Sequence, residues 1–309
     1  RLSKMIEGFY KLGSKKINLK KEFLKNKNLN FEQVFKKTGI KFIYRSSKNE
    51  NTHTLACEVG KKNLKYIKEK VESLIFLTQS PISTIPSSGS LLHKDLNLAE
   101  NCYVLDVIQG CSSFPYAFNL AINLIKNREF SNSLIICSET YTKNILKNDK
   151  TCLPIFSDAA SSLFINKKSV PKIMSSIYLT DGTGHKNLCL NNKKELYMNG
   201  LEVFTFTSEK VPFAVNELLK KAKLKLNDVS YFIFHQASHI VLKTIQQKLN
   251  IPNEKFFNNI EFIGNTVSST IPIGVIESLK NNRIPKNKPF LLMGFGVGYS
   301  LSGGIYKFE

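Results

Sequence analysis

Cys111 lies where one periodicity stops and another starts. The segment Leu105-Asp106-Val107-Ile108-Gln109-Gly110-Cys111-Ser112-Ser113-Phe114-Pro115-Tyr116 continues an apolar, strand-like run (Tyr103 to Ile108) and breaks at Gly110. Apolar residues at helical spacing follow (Phe114, Phe118, Ala121, Leu124, Ile125). A thiol at a strand-to-helix turn faces the positive end of the helix dipole and unpaired backbone N–H groups, which favour thiolate. That is the setting of a covalent nucleophile. The alternative is a buried core cysteine, a common fate of free thiols.

Three polar points accompany it. His235 ends the apolar run Tyr231–Phe234 in His235-Gln236-Ala237-Ser238, with Ser238 placed to cap the next helix. The plain alternative is a structural histidine. Asn265, in Gly264-Asn265-Thr266, precedes an apolar helix and could equally be a turn or cap residue. The run Gly294-Phe295-Gly296-Val297-Gly298 lies between two strand-like runs, whereas a dinucleotide loop opens a helix. A dinucleotide site is therefore excluded, and a tight turn offering backbone N–H groups to a ligand fits better. His239 follows His235 by one helical turn, but no third ligand joins them and no metal is expected. His53, His93 and His185 are expected at the surface.

The elements that must carry these residues can be read from periodicity. Strands are expected at Ser73–Thr78, Tyr103–Ile108, Leu134–Cys137, Leu163–Ile165, Tyr231–Phe234, Phe290–Met293 and Leu301–Tyr306. Helices are expected at Leu55–Lys70, Phe114–Asn127, Pro212–Leu224, His239–Leu249 and Thr270–Lys280. Their alternation gives an α/β class. A faint internal repeat runs through the chain. Val71–Phe76 resembles Val229–Phe234, and Ser112-Ser113 before Pro115 resembles Ser268-Ser269 before Pro272. Both pairs lie about half a chain apart, which suggests duplicated halves; chance similarity between apolar strands is the alternative.

Composition narrows the class. At 309 residues and 42% hydrophobic, the chain can build a sizeable core as one large or two fused domains. No apolar run approaches the ~18 residues of a membrane span. No secretory signal is evident, and because the chain opens at Arg1 a few residues are expected to precede it. The six cysteines show no CxxC pair and read as reduced thiols in a cytoplasmic protein. The formal net charge of +20 suits an acidic partner, or reflects a lysine- and asparagine-rich codon bias. The lysines are scattered and not interleaved with aromatics, which argues against nucleic acid.

Taken jointly, the local sequences resemble the 3-oxoacyl-[acyl-carrier-protein] synthase III family of the thiolase-like superfamily. The matching stretches are Lys37–Ile40, Asp106–Tyr116, Pro154–Ala160, Gly200–Phe204, His235–Ala237, Gly264–Thr266 and Gly294–Gly298, in the family's order across nearly the whole chain. The resemblance implies two duplicated α/β halves in a five-layered αβαβα core, residues 1–165 carrying the cysteine and 166–309 the histidine and asparagine. It implies a decarboxylating Claisen condensation. Cys111 takes an acyl group from acyl-CoA or acyl carrier protein (ACP), and malonyl-ACP then loses CO2 and attacks it. His235 and Asn265 are expected to stabilise the negative charge on the malonyl thioester oxygen, and the backbone N–H groups of Cys111 and Val297 to form the oxyanion hole for acylation. Phe204, Gly296 and Gly298 are expected along the phosphopantetheine channel, with ordinary core packing the alternative for Phe204. Ile85 falls in the loop that closes the partner's acyl pocket in the family, so a homodimer is implied. CoA and ACP thioesters would be substrates, with no permanently bound cofactor.

The chain also departs from the family pattern. It has no Trp, and the two positions that usually clamp the CoA adenine correspond to Gln33 and Lys150. Neither offers the planar face of an indole or a guanidinium. The Asn and Arg that follow the His-Gln-Ala motif are Ser238 and Ile240 here, leaving a cation such as Lys243 for ACP docking. Phe-Gly-Asp-Gly-Ala becomes Phe156-Ser157-Asp158-Ala159-Ala160, a change expected to reshape a turn beside the crevice. Two rival readings stand beside the synthase: an acyltransferase moving the acyl group from Cys111 to an alcohol or amine, and a non-catalytic ACP-binding scaffold.

Overall fold

The computed structural model describes residues 6–24 and 30–309. Among these, the strands in chain order are β1 (Glu7–Leu12), β2 (Lys15–Asn18), β3 (Phe42–Arg45), β4 (Ser73–Leu77), β5 (Tyr103–Val107), β6 (Asn132–Glu139), β7 (Ala159–Asn166), β8 (Lys172–Thr180), β9 (Leu188–Leu190), β10 (Leu196–Met198), β11 (Tyr231–Phe234), β12 (Pro289–Gly296) and β13 (Ser300–Lys307). The helices are α1 (Leu19–Leu24), α2 (Phe31–Thr38), α3 (Thr52–Leu64), α4 (Ser88–Asp95), α5 (Ser113–Lys126), α6 (Gly200–Ala222), α7 (His239–Leu249), α8 (Ile260–Ile263) and α9 (Thr270–Lys280).

The apolar runs read from the sequence become the inner strands of two sheets. The first has the order β1-β7-β6-β4-β5 and the second β11-β12-β13-β8. Their pairing senses correspond. β4 is parallel to β6, β6 antiparallel to β7 and β7 antiparallel to β1; β11 is parallel to β12, β12 antiparallel to β13 and β13 antiparallel to β8. Where the first sheet has β5, the second has only a parallel bridge between Phe232 and Phe256. Each half also has a 3-10 turn running into a helix, Gly110–Ser112 into α5 and Val267–Ser269 into α9. The repeat in the sequence is thus a repeat of topology.

The apolar faces stack five layers. Helices α3 and α4 cover the outer face of the first sheet, with Leu55, Val59 and Leu92 against Leu74, Phe76 and Ile136. Helices α5 and α9 fill the space between the sheets, with Phe118, Ile122 and Val275 against Ile75, Leu163, Ile233 and Leu292. Helices α6 and α7 close the outer face of the second sheet. This is the αβαβα arrangement implied by the resemblance.

Several boundaries differ from the sequence reading. Helix α3 ends at Leu64, short of Lys70, in a turn where the Tyr66 and Ile67 N–H groups both bond the Asn63 carbonyl. The edge strands β1 and β8 escaped notice because edge positions are half-exposed and mix polar with apolar residues. Helix α6 begins at Gly200, not Pro212, with Asn199 accepting from the backbone N–H of Glu202 at 3.3 Å. Pro212 suggests a helix start but sits in the interior, where it removes the N–H that would bond Ser208. The Lys248 ammonium donates to the Ser208 carbonyl at 2.8 Å and replaces that bond. His53 is buried, not on the surface, while His185 is exposed.

Phe118 in the central layer stacks on Phe114 at 5.4 Å and meets the Tyr306 ring edge-on at 5.2 Å. Phe118→Ala is expected to cost ~3–5 kcal/mol in urea unfolding; a loss below ~1 kcal/mol would contradict a packed middle layer.

Candidate active site

Cys111 sits in the 3-10 turn Gly110–Ser112, one turn ahead of α5. The turn is stitched to the other half of the molecule. Ser112 Oγ lies 2.6 Å from Ser300 Oγ, and Ser302 Oγ donates to the Ser112 carbonyl at 2.5 Å. The glycine run explains how the two backbones come so close. A Cβ on Gly294 would stand 2.5 Å from the Cys111 carbonyl oxygen, and one on Gly296 (φ +154°) 3.1 Å from Cys111 Cβ and 3.4 Å from Sγ.

The surroundings of the thiol favour its protonated form, as in the buried-cysteine alternative, over the thiolate that a helix N-terminus favours. Burial raises its pKa first and the neighbouring Glu139 raises it further; only the residue's own backbone N–H opposes them. Glu139, at the end of β6, is itself fully buried and is pushed up to about 7 by desolvation. It accepts from Ser80 Oγ (2.8 Å), Ser268 Oγ (2.9 Å) and the Gln79 N–H (3.1 Å).

His235 closes β11, its N–H bonded to the Met293 carbonyl at 2.8 Å and its ring edge-on to Phe295 at 5.5 Å. Burial lowers its pKa to about 3, so the imidazole is neutral. Its Nδ1 lies 2.7 Å from Thr270 Oγ1, whose hydroxyl donates to the Val267 carbonyl at 3.0 Å. With that hydroxyl proton committed, Nδ1 carries the ring proton and Nε2 is bare. Asn265 Nδ2 approaches Nε2 at 3.4 Å, while Asn265 Oδ1 accepts from the Val267 N–H at 2.9 Å. The amide is thereby oriented with its donors toward His235.

The backbone of Asn265 is fixed by the altered turn. It bridges to Phe156, with Ser157 N donating to Asn265 O at 2.8 Å and Asn265 N to Ile155 O at 2.9 Å. Ser157 Oγ accepts from Tyr44 N at 3.0 Å and donates to Ile263 O at 2.5 Å. It packs against Gly264 (φ +74°), where a Cβ would lie 2.7 Å from that oxygen. Val267 holds φ +55°, a left-handed conformation costly for a β-branched residue, on the order of 1–3 kcal/mol.

Cys111, His235, Asn265 and Gly296 line one cavity of about 650 Å³. Phe204, Gln33 and Lys150 line it too, the last two exposed at its mouth. A smaller cavity of about 150 Å³ is lined by Val297, Gln79, Tyr141 and Asn144, and Leu188 forms a wall common to both. Gly298 and Ile85 line neither, and Ile85 is 92% exposed on its loop. Lys243 is exposed on α7, away from the cavity lining. Sequence reasoning missed Glu139, Thr270 and Tyr141. Glu139 had a visible signal, a charged residue ending an apolar strand, the same feature that singled out His235. Thr270 had none, since its partner is remote in sequence.

Comparison with known proteins agrees with this geometry. Residues 105–182 match the family described as 3-oxoacyl-[acyl-carrier-protein (ACP)] synthase III, and residues 219–308 match its C-terminal part. The beta-ketoacyl-[acyl-carrier-protein] synthase III of Acholeplasma laidlawii is 31% identical over 290 residues, 92% of each chain. That of Listeria monocytogenes is 30% identical over 280 residues, 89% of each chain. This chain belongs to the synthase III family. A crystal structure of a 3-oxoacyl-(acyl-carrier-protein) synthase III superposes with TM-score 0.91 at 27% identity, covering 98% of both chains. The Aquifex aeolicus enzyme gives 0.89 at 26% identity, covering 97% of this chain and 98% of its own. Synthase III enzymes are condensing acyltransferases that use CoA and ACP thioesters and keep no permanent cofactor.

A protonated, buried Cys111 sets a pH dependence. The thiolate fraction should rise about tenfold per pH unit, so alkylation of Cys111 by iodoacetamide should climb through about pH 9 without levelling. A plateau below about pH 8 would mean that the thiolate is stabilised after all.

Proposed function

We propose that Cys111 is the acyl-carrying nucleophile of a decarboxylating condensation, that His235 serves both of its halves and that Asn265 serves the condensation. The observation that carries the assignment is the 3.4 Å approach of Asn265 Nδ2 to His235 Nε2 in the wall of the cavity that Cys111 also lines.

In acylation the bare Nε2 accepts the Cys111 proton, Sγ bonds the acyl carbon and the departing thiolate takes the proton. Backbone N–H groups of Cys111 and Val297 receive the transient oxyanion. In condensation the malonyl thioester loses CO2 and the electron pair moves onto its oxygen as an enolate. The enolate carbon then attacks the acyl-cysteine, and Sγ leaves as the thiolate and takes up from solvent the one proton that each turnover consumes. The enolate oxygen needs donors: the Asn265 amide supplies one, and His235 supplies the other when the proton stands on Nε2. Thr270 can support both tautomers. When its hydroxyl donates to Val267, Nδ1 keeps the proton; when it donates to Nδ1, Nε2 keeps it. A carboxylate at position 265 would repel the enolate.

Acyl-CoA or acyl-ACP supplies the primer, and the net charge of +20 suits an acidic carrier protein. A homodimer is supported by the exposed Ile82, Ile85 and Ile108 and by β5, which pairs on one side only and leaves an open sheet edge. Ile85 would then reach its partner's acyl pocket. Six free thiols suit a cytoplasmic enzyme, and no described helix is long and apolar enough to cross a membrane.

Intact-mass measurement after incubation with acyl-CoA or acyl-ACP should show an acyl adduct that Cys111→Ala abolishes, discharged by malonyl-ACP as an extended 3-oxoacyl-ACP. An adduct that malonyl-ACP never discharges would favour transfer to another acceptor. Asn265→Asp and Thr270→Val should each lower malonyl-ACP decarboxylation by ~10²–10³. Asn265→Asp should still form the adduct; equal loss of both half-reactions would refute its assignment. Sedimentation should give a dimer that Ile85→Lys weakens.

A further inference from the structure

The catalytic scheme leaves one cluster of metal-ligating side chains unused. His53 and Cys57 lie one turn apart on α3, and Asp95 is the last residue of α4. His53 Nε2 stands 2.7 Å from Asp95 Oδ2 and 3.4 Å from Cys57 Sγ, and one ligand atom from each residue falls within 4.8 Å of the other two. Among the described residues this is the cluster of at least three such groups whose atoms converge in this way.

The convergence is on a single nitrogen. In a Cys-His-Asp catalytic triad the thiol and the carboxylate engage opposite ring nitrogens. Here both crowd Nε2, which suits a cation placed between three donors. Around Zn²⁺, with bonds of about 2.0–2.3 Å, tetrahedral donors stand roughly 3.3–3.7 Å apart. The sulfur–nitrogen separation already fits. The Asp95 carboxylate must draw back by under about 1 Å, and its exposed position allows that.

We propose that His53, Cys57 and Asp95 form a binding site for a divalent transition metal of the Zn²⁺ type, with water in the fourth position. The donor set of one thiolate, one imidazole and one carboxylate favours Zn²⁺ or Co²⁺ over Mg²⁺ or Ca²⁺. Binding replaces the thiol proton with the metal. His53 Nδ1 is buried without a partner, so the ring lacks the outer hydrogen bond that usually strengthens a ligating histidine. That and the water ligand place the site below four-ligand structural centres in affinity.

The site would act as a clasp. Helix α4 follows the loop that carries Ile85, and the first residue of α3, Thr52, bonds Ser80 Oγ at 3.1 Å in that same loop. Joining the two helices would hold both ends of the loop.

The test is titration of the purified, metal-stripped full chain with Co²⁺. A thiolate-to-cobalt charge-transfer band should appear in the near ultraviolet and vanish on adding Zn²⁺. Cys57→Ser should abolish the band while Cys111→Ser and Cys189→Ser keep it, and Asp95→Asn should weaken binding by about tenfold or more. Zn²⁺ should raise the thermal midpoint of the native chain and not that of Cys57→Ser, with circular dichroism confirming that the variant is folded. Absence of a band with the native chain at millimolar cobalt, or a band that survives Cys57→Ser, would overturn the proposal.

Discussion

Two backbones meet without side chains between them, and the active site is built around that contact. The strand carrying Gly294 and Gly296 comes so close to Cys111 and Ser112 that a Cβ at either glycine would press on the nucleophile turn. The serine bonds from Ser300 and Ser302 fasten the contact from the side. Because the turn belongs to the first half and the glycine strand to the second, the contact fixes how the two sheets lie across α5 and α9. It thereby fixes where His235 and Asn265 stand relative to the sulfur.

The site's electrostatics are those of buried groups held close to neutrality. Burial favours the protonated thiol, the neutral imidazole and a Glu139 carboxyl pushed up to about 7. Charge therefore appears there mainly when chemistry creates it, and donors already aimed at the reacting atoms are strongest in such surroundings. The left-handed Val267 is part of the same arrangement, since its N–H donates to Asn265 Oδ1 and so turns the amide donors toward His235.

Much of this was legible in the sequence because it rests on local patterns. Inner strands are continuous apolar runs, and the polar residues that end them are conspicuous. Cys111 and His235 could be found in that way, Asn265 stood out ahead of an apolar helix and took its role from the family resemblance, and the faint repeat anticipated matching sheet topologies. What could not be read depends on remote partners. The edge strands β1 and β8 lack an apolar signature. The start of α6 was hidden by Pro212, whose missing bond is made good by Lys248, far along the chain. The protonation state of Cys111 turns first on its burial and then on Glu139, and the tautomer of His235 on Thr270. The role of Ser157 depends on its meeting with Gly264.

The two matching turns do different work. In the first half, Gly110–Ser112 presents a thiol to the cavity. In the second, Val267–Ser269 occupies the matching place before its helix, but its hydroxyls face inward: Ser268 donates to Glu139, and Ser269 donates to the Cys137 carbonyl at 3.3 Å. Both contacts land on β6, in the half that carries the nucleophile. The second turn thus braces the strand behind the turn that carries the thiol. The reactive residue can be changed without losing the frame, because the frame is held from the other half.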